Sequence, residues 1–245
     1  MTSKSKKKKI HPWRLCPAGE HWVRTHLLHV PPSKSYPEGH ITTRHAHCAH
    51  NPSGKDQLYP EEINEIADLH FSKLKDKPCP IALDFLNGAR FDDFISGWVE
   101  YWNDIFDPKD VLKPNFVKAL IASESGFNPT MLANKKNSNS ARGLMQITND
   151  TRKILGDENG ELKDHFLTVT KADLNDPNVN ISAGVRWLFQ KKLLATSKLK
   201  RTATWEEAVA EYKGTLKDWQ AGTKSGKKIM RIFNEHLDIY NQCKK

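Results

Sequence analysis

Apolar residues fall at helical spacing along most of the chain beyond residue 60. From Phe91 to Phe106 the sequence reads FDDFISGWVEYWNDIF. Phe91, Phe94, Ile95, Trp98, Val99, Trp102, Ile105 and Phe106 form one stripe. Such a stripe is expected in the core, although its aromatics could also line a sugar groove. Ile63, Ile66, Ala67, Phe71 and Leu74 recur in the same way behind Pro60-Glu61-Glu62. Proline at the first position and acids in the first turn start a helix well. Lys75-Asp76-Lys77-Pro78-Cys79-Pro80 breaks it, and Cys79 reads as an isolated structural thiol. Further helices are expected over 114–124, 141–153, 178–194, 205–213 and 226–242. The polar stretch Asn134 to Ser140 reads as a loop, and the basic stretch Lys191 to Arg201 as a solvent face. Residues 10–56 show no helical period and are rich in Pro and Gly.

The run Phe116, Val117, Leu120, Ile121 leads to a single acid, Glu124, followed by Ser-Gly-Phe-Asn-Pro. Gly126 and Pro129 end the helix, so Glu124 is expected at its C-terminal end. Apolar neighbours and the negative end of the helix dipole both disfavour the charged form of a carboxyl there. A carboxyl group that keeps its proton is what a general acid for a glycosidic oxygen requires. The alternative is an ordinary acid at a helix terminus.

Four ordered blocks carry a resemblance. They are Glu124-Ser125-Gly126-Phe127-Asn128-Pro129; Ala141-Arg142-Gly143-Leu144-Met145-Gln146-Ile147-Thr148 with Thr151; Asp173-Leu174-Asn175-Asp176-Pro177 with Asn180-Ile181 and Gly184; and Glu211-Tyr212-Lys213-Gly214. Together they resemble the soluble lytic transglycosylase family, relatives of goose-type lysozyme, from about Lys109 to the C-terminus. The resemblance implies a mainly α fold: a lysozyme-like helical catalytic domain of the α+β lysozyme superfamily. Here it is preceded by a small His/Cys-rich, loop-rich N-terminal module. The expected division is a basic tail over 1–9, a His/Cys module over 10–58, a helical connecting region over 59–108 and the catalytic domain over 109–245.

The resemblance also implies a reaction: cleavage of the β-1,4 MurNAc–GlcNAc bond of peptidoglycan. One Glu protonates the leaving oxygen, then deprotonates the muramoyl C6 hydroxyl, which closes a 1,6-anhydro ring. No cofactor takes part. Carried over residue by residue, Glu124 is the catalytic acid. Ser125, Ser140, Met145, Gln146 and Tyr212 fall at substrate-binding or supporting positions, with Gly143 allowing close backbone approach. Ser125 could instead only terminate the helix.

The chain departs from the pattern in two places. Ser140 stands where the family often has glycine. The family's Ala-Tyr-Asn-Ala-Gly becomes Glu211-Tyr212-Lys213-Gly214, losing an asparagine and one residue of loop. Glu211 is an extra carboxylate that could activate water and make the enzyme a hydrolytic muramidase; Asp150 and Asp173 are further candidates. Asp173 and Asp176 also suit helix capping. A non-catalytic wall-binding or delivery-machine component is the reading of another class.

The 245 residues carry a formal charge of +9 and a pI near 9.3. A basic surface suits a polyanionic partner such as nucleic acid, anionic lipid or bacterial cell wall. No finger spacing or recognition helix supports specific nucleic-acid binding. No apolar run reaches transmembrane length. Met1 to Lys9 is basic but no apolar segment follows, so no secretory signal peptide is read. The expectation is synthesis in the cytoplasm and action in the periplasm or on the wall. Delivery would then use another route: a contractile secretion machine, a phage particle, or release through a membrane lesion.

Eight of the eleven histidines lie at His11, His21, His26, His29, His40, His45, His47 and His50, alongside Cys16 and Cys48. A loop-rich segment of this size buries little core on its own. A structural Zn²⁺ held by Cys16, His26, His29 and Cys48 would staple it. The other readings are surface histidines with buried thiols, or a Cys16–Cys48 disulfide, which a reducing compartment disfavours.

Overall fold

The computed structural model describes residues 13–243, so the basic tail and His11 lie outside the described residues. Among the described residues, six short strands and eight α-helices follow in chain order. The strands are β1 (Glu20–Val23), β2 (His26–Val30), β3 (His40–Arg44), β4 (His47–His50), β5 (Gln57–Leu58) and β6 (Phe166–Leu167). The helices are α1 (Pro60–His70), α2 (Asp92–Phe106), α3 (Pro114–Ser125), α4 (Asn149–Gly156), α5 (Pro177–Leu199), α6 (Trp205–Tyr212), α7 (Leu216–Gln220) and α8 (Lys224–Gln242).

The aromatic stripe of α2 is core. Phe91, Ile95, Trp98, Val99 and Trp102 are buried in the cluster that runs through α1, α3, α5, α6 and α8. The indole N–H of Trp98 donates to Asn178 Oδ1 at 2.6 Å, and that of Trp102 to the Ser182 carbonyl at 3.2 Å. Asn178 also donates to the Ile63 carbonyl of α1. The Asn178 side chain and the Ser182 carbonyl of α5 thus find partners on α1 and α2. The region read as connecting shares one core with the helices beyond residue 109.

Within the stretch over 10–56, expected to be loop-rich, residues 20–50 form a nested β ribbon. β1 pairs antiparallel with β4 and β2 with β3, Trp22 standing opposite Cys48 and Leu28 opposite Thr42. Period-two alternation is weak here because most ribbon side chains remain outside the core. β5 then pairs in parallel with β6, which joins the ribbon's base to the helical body.

The zinc expectation is corrected. Cys16 and Cys48 form a disulfide, and their sulfurs are bonded to each other rather than available as thiolates. His26 and His29 lie out along β2, where they are exposed. Among the described residues, the one grouping with metal-ligand geometry is Asp56, Asp164 and His165. Its members are already bonded: Arg14 pairs with Asp56, and Asp164 accepts from the Asp56 and His165 amides. Cys79 is not isolated either. It forms a disulfide with Cys243, 164 residues away, at the end of α8.

The expected helix over 141–153 is corrected to 149–156. Gly143 (φ 75°) and Gln146 (φ 49°) both take left-handed backbone. Arg142 and Ile147 exchange two backbone hydrogen bonds across this turn. The apolar run in 141–147 reflects a tight turn buried against α5. The helix begins only at the Thr148 cap, whose hydroxyl accepts from the Thr151 amide.

Candidate active site

Lys113 and Pro114 start α3, and Gly126 (φ 56°) and Phe127 (φ 60°) end it in consecutive left-handed residues. Glu124 therefore sits in the last turn, as expected. Phe127 is fully buried against Phe85, which packs from the 81–90 segment, and Asn87 reaches the Phe127 carbonyl. This segment lies outside the four blocks, yet it braces the end of α3.

A second brace comes from the turn at 142–146. Asn180 of α5 is buried; its Oδ1 accepts from the Met145 amide at 2.8 Å, and its Nδ2 donates to the Arg142 and Leu174 carbonyls. A Cβ on Gly143 would fall 2.1 Å from Asn180 Nδ2, so only glycine allows this approach. That glycine therefore serves helix packing. A Cβ on Gly184 would strike Met145 Sδ in the same way. Asp176 caps α5 by accepting from the Asn178 and Val179 amides.

Ser125 Oγ donates to the Leu144 carbonyl at 2.8 Å and to Ile121, so its hydroxyl ties α3 to the turn. Met145 is fully buried against α5, and what it offers the site is its carbonyl, which accepts from Tyr212 OH at 2.6 Å. Gln146 is half-buried. Its Nε2 donates to the Gly143 carbonyl at 2.8 Å and to Met131, and among the described residues no donor reaches its Oε1. Ser140 stands apart, closing the 134–140 loop on the Asn134 backbone.

The surroundings of Glu124 are less apolar than expected. The Lys213 ammonium lies 2.5 Å from Glu124 Oε1, with side-chain exposures of 8% and 18%. Lys213 follows the last turn of α6, next to Tyr212. Burial, and then the charge of Glu124, push the Tyr212 phenol well above its ordinary range, so it stays a neutral donor. The structure thus gathers Glu124, Ser125, the Met145 carbonyl, Tyr212 and Lys213. The sequence marked Lys213 only as a departure: a cation directly after the matched tyrosine.

The candidate water-activating acids are placed elsewhere. Glu211 is buried and accepts from Lys198 at 2.6 Å, with Lys191 at 3.9 Å. Asp173 accepts from the Thr170 amide in a turn before α5. Asp150 is exposed in the first turn of α4.

A comparison with curated proteins finds no match. The family model described as Transglycosylase SLT domain matches residues 105–233, which takes in Glu124, the buried turn, Asn180 and the Tyr212–Lys213 pair. With more than half its length matched and these blocks folded around one acid, the chain belongs to the transglycosylase SLT family.

Proposed function

We propose that this protein cleaves the β-1,4 MurNAc–GlcNAc bond of bacterial peptidoglycan as a lytic transglycosylase, with Glu124 as its one catalytic carboxyl. The observation that carries this reading is the pairing of an acid at a braced helix end with a neutral Tyr212 phenol fixed on the Met145 carbonyl. Glu124 protonates the leaving glycosidic oxygen. The resulting carboxylate then takes the proton of the muramoyl C6 hydroxyl as that oxygen attacks the anomeric carbon. The bond to the leaving sugar breaks, the anhydro ring closes, and no water is consumed. Gln146, with its free amide oxygen, suits an acetamido N–H of the substrate.

A hydrolase that activates water with a second carboxylate is the runner-up. The commitment of Glu211 to Lys198 and Lys191 favours the single-carboxyl route over it. The two disulfides suit an oxidising space outside the cytoplasm, where the wall lies. In this reading the protein acts there, and the exposed β2–β3 ribbon is where a secretion-machine or phage-particle partner would engage.

Digestion of purified sacculi with the native protein and Glu124→Gln, with products identified by mass spectrometry, tests the proposal. Anhydromuropeptides from the native protein are expected, with a loss of about 10²–10⁴-fold in the variant. Reducing-end products would move the assignment to a muramidase. An absence of products from the native protein would sink both enzyme readings in favour of a binding role.

A further inference from the structure

Resting on the transglycosylase reading, we propose that Lys213 is a positioning residue that controls when Glu124 can act as an acid. It holds one carboxylate oxygen of Glu124 in an ion pair that must loosen before that group can donate a proton. The contact is specific. Lys213 Nζ lies 2.5 Å from Oε1, and among the described residues no donor reaches Oε2. One oxygen is clamped and the other is left to address the glycosidic bond. Both side chains are largely withdrawn from solvent, so water screens the pair poorly. Lys213 is itself fixed: its amide donates to the Val209 carbonyl at the end of α6, and Gly214 turns the chain away with φ 68°.

The other charged groups near this helix end are occupied or turned elsewhere. The Tyr212 phenol bonds to the Met145 carbonyl. Glu211 pairs with Lys198. Arg142, from the buried turn, reaches the Ser138 and Lys171 carbonyls. His236 of α8 packs on Phe85, and burial pushes its titration down, so it is neutral at pH 7. Asp92 of α2 pairs with Lys118, two turns back along α3. Asp84 and Arg90 of the 81–90 segment make no hydrogen bond or ion pair with Glu124 among the described residues. Lys213 is therefore the cation set against Glu124.

The sign follows from acid catalysis. An ammonium against a carboxylate favours its ionised form. The first step needs the neutral form, so activity exists at low pH and fades as the carboxyl ionises. Removing the ammonium extends activity to higher pH. The second step runs the other way: the carboxylate left after proton donation is steadied by Lys213 until the C6 hydroxyl returns a proton to it.

The test compares the native full chain with Lys213→Met and Lys213→Arg in sacculus digestion from pH 5 to 9. Thermal melts check that each variant is folded. The ratio of Lys213→Met to native rates is expected to rise with pH, reaching about tenfold or more at pH 8, while Lys213→Arg follows the native profile. A ratio that stays flat with pH, at whatever level, would overturn the proposal. Carbon-13 NMR titration of the Glu124 carboxyl gives a readout independent of turnover, and Lys213→Gln replaces the methionine variant if that variant fails to fold. If no protein cleaves at any pH, the transglycosylase reading falls. The NMR midpoint then decides alone: a rise on removing the ammonium supports the Lys213 role, and no change rejects it.

Discussion

In β2 and β3 every residue but Val30 and His40 is exposed, whereas α5 is buried without a break from Asn178 to Gln190. The ribbon leaves Leu27, Leu28 and Ile41 in water and is held by its backbone ladder and the Cys16–Cys48 bond. The helical body encloses polar residues too, and Asn178, Asn180 and Arg186 all bond to neighbouring segments. Stability in the body is therefore expected to be cooperative, because these three buried groups depend on partners from distant elements. In the ribbon it is local.

Three substitutions sharpen or break this contrast. The largest effect is expected at Lys118, which is fully buried in α3 and bonded to Asp92 and to the Cys79 carbonyl, over the Tyr240 ring. Lys118→Met leaves a buried carboxylate unpaired and should cost about 3–5 kcal/mol in denaturant unfolding. A cost below about 1 kcal/mol would remove the case that paired polar groups hold the body together. Next comes the double variant Cys16→Ser/Cys48→Ser, which opens a loop with a sequence separation of 32. The expected loss is about 2–4 kcal/mol. Hydrogen exchange should show it first in residues 20–50, with the body still protected. Simultaneous loss of protection in α3 and α5 would mean that ribbon and body form one unit.

The smallest effect concerns their joint. Glu62 of α1 is buried and accepts from the Trp22 amide of β1. Burial pushes its carboxyl from 4.5 up to about 7, against the opposing pull of the Trp22 amide and Arg14. Between those values the folded state holds a proton that the unfolded chain has lost. Stability should therefore fall as pH rises through this window and be level below it, by about 1–3 kcal/mol in total. Glu62→Gln should flatten the dependence, as measured by thermal melts from pH 4 to 8. An unchanged slope would assign it to other groups.

The body was legible because its helices announce themselves. The period of α2, the Pro60 and Pro114 starts, the Asp176 cap and the stop at Gly126 are local signals, and each appears within a few residues of where it is read. The turn at 141–147 was misread because burial on every side gives it the apolar density of a helix. Only Gly143 hints at the left-handed backbone. The ribbon was missed because neither of its faces is buried over β2 and β3, so no alternation was imposed on its sequence. The disulfides depend on partners 32 and 164 residues apart, which composition does not encode. At the site, Glu124 and Tyr212 were found through their neighbours in sequence. The ion pair to Lys213 spans 89 residues and required the fold.

The Cys79–Cys243 bond changes how the molecule would carry tension. In the oxidised protein a pull applied at the two termini passes from Cys79 directly to Cys243, and the Cys16–Cys48 bond offers a second shortcut. The 164 residue steps between Cys79 and Cys243, roughly 550 Å of extended chain, never come under load. They contain α2 through α8, the Glu124 helix among them. A motor gripping either end would stretch the segment from Cys48 through α1 while the helical body hung from one covalent link, slack and folded.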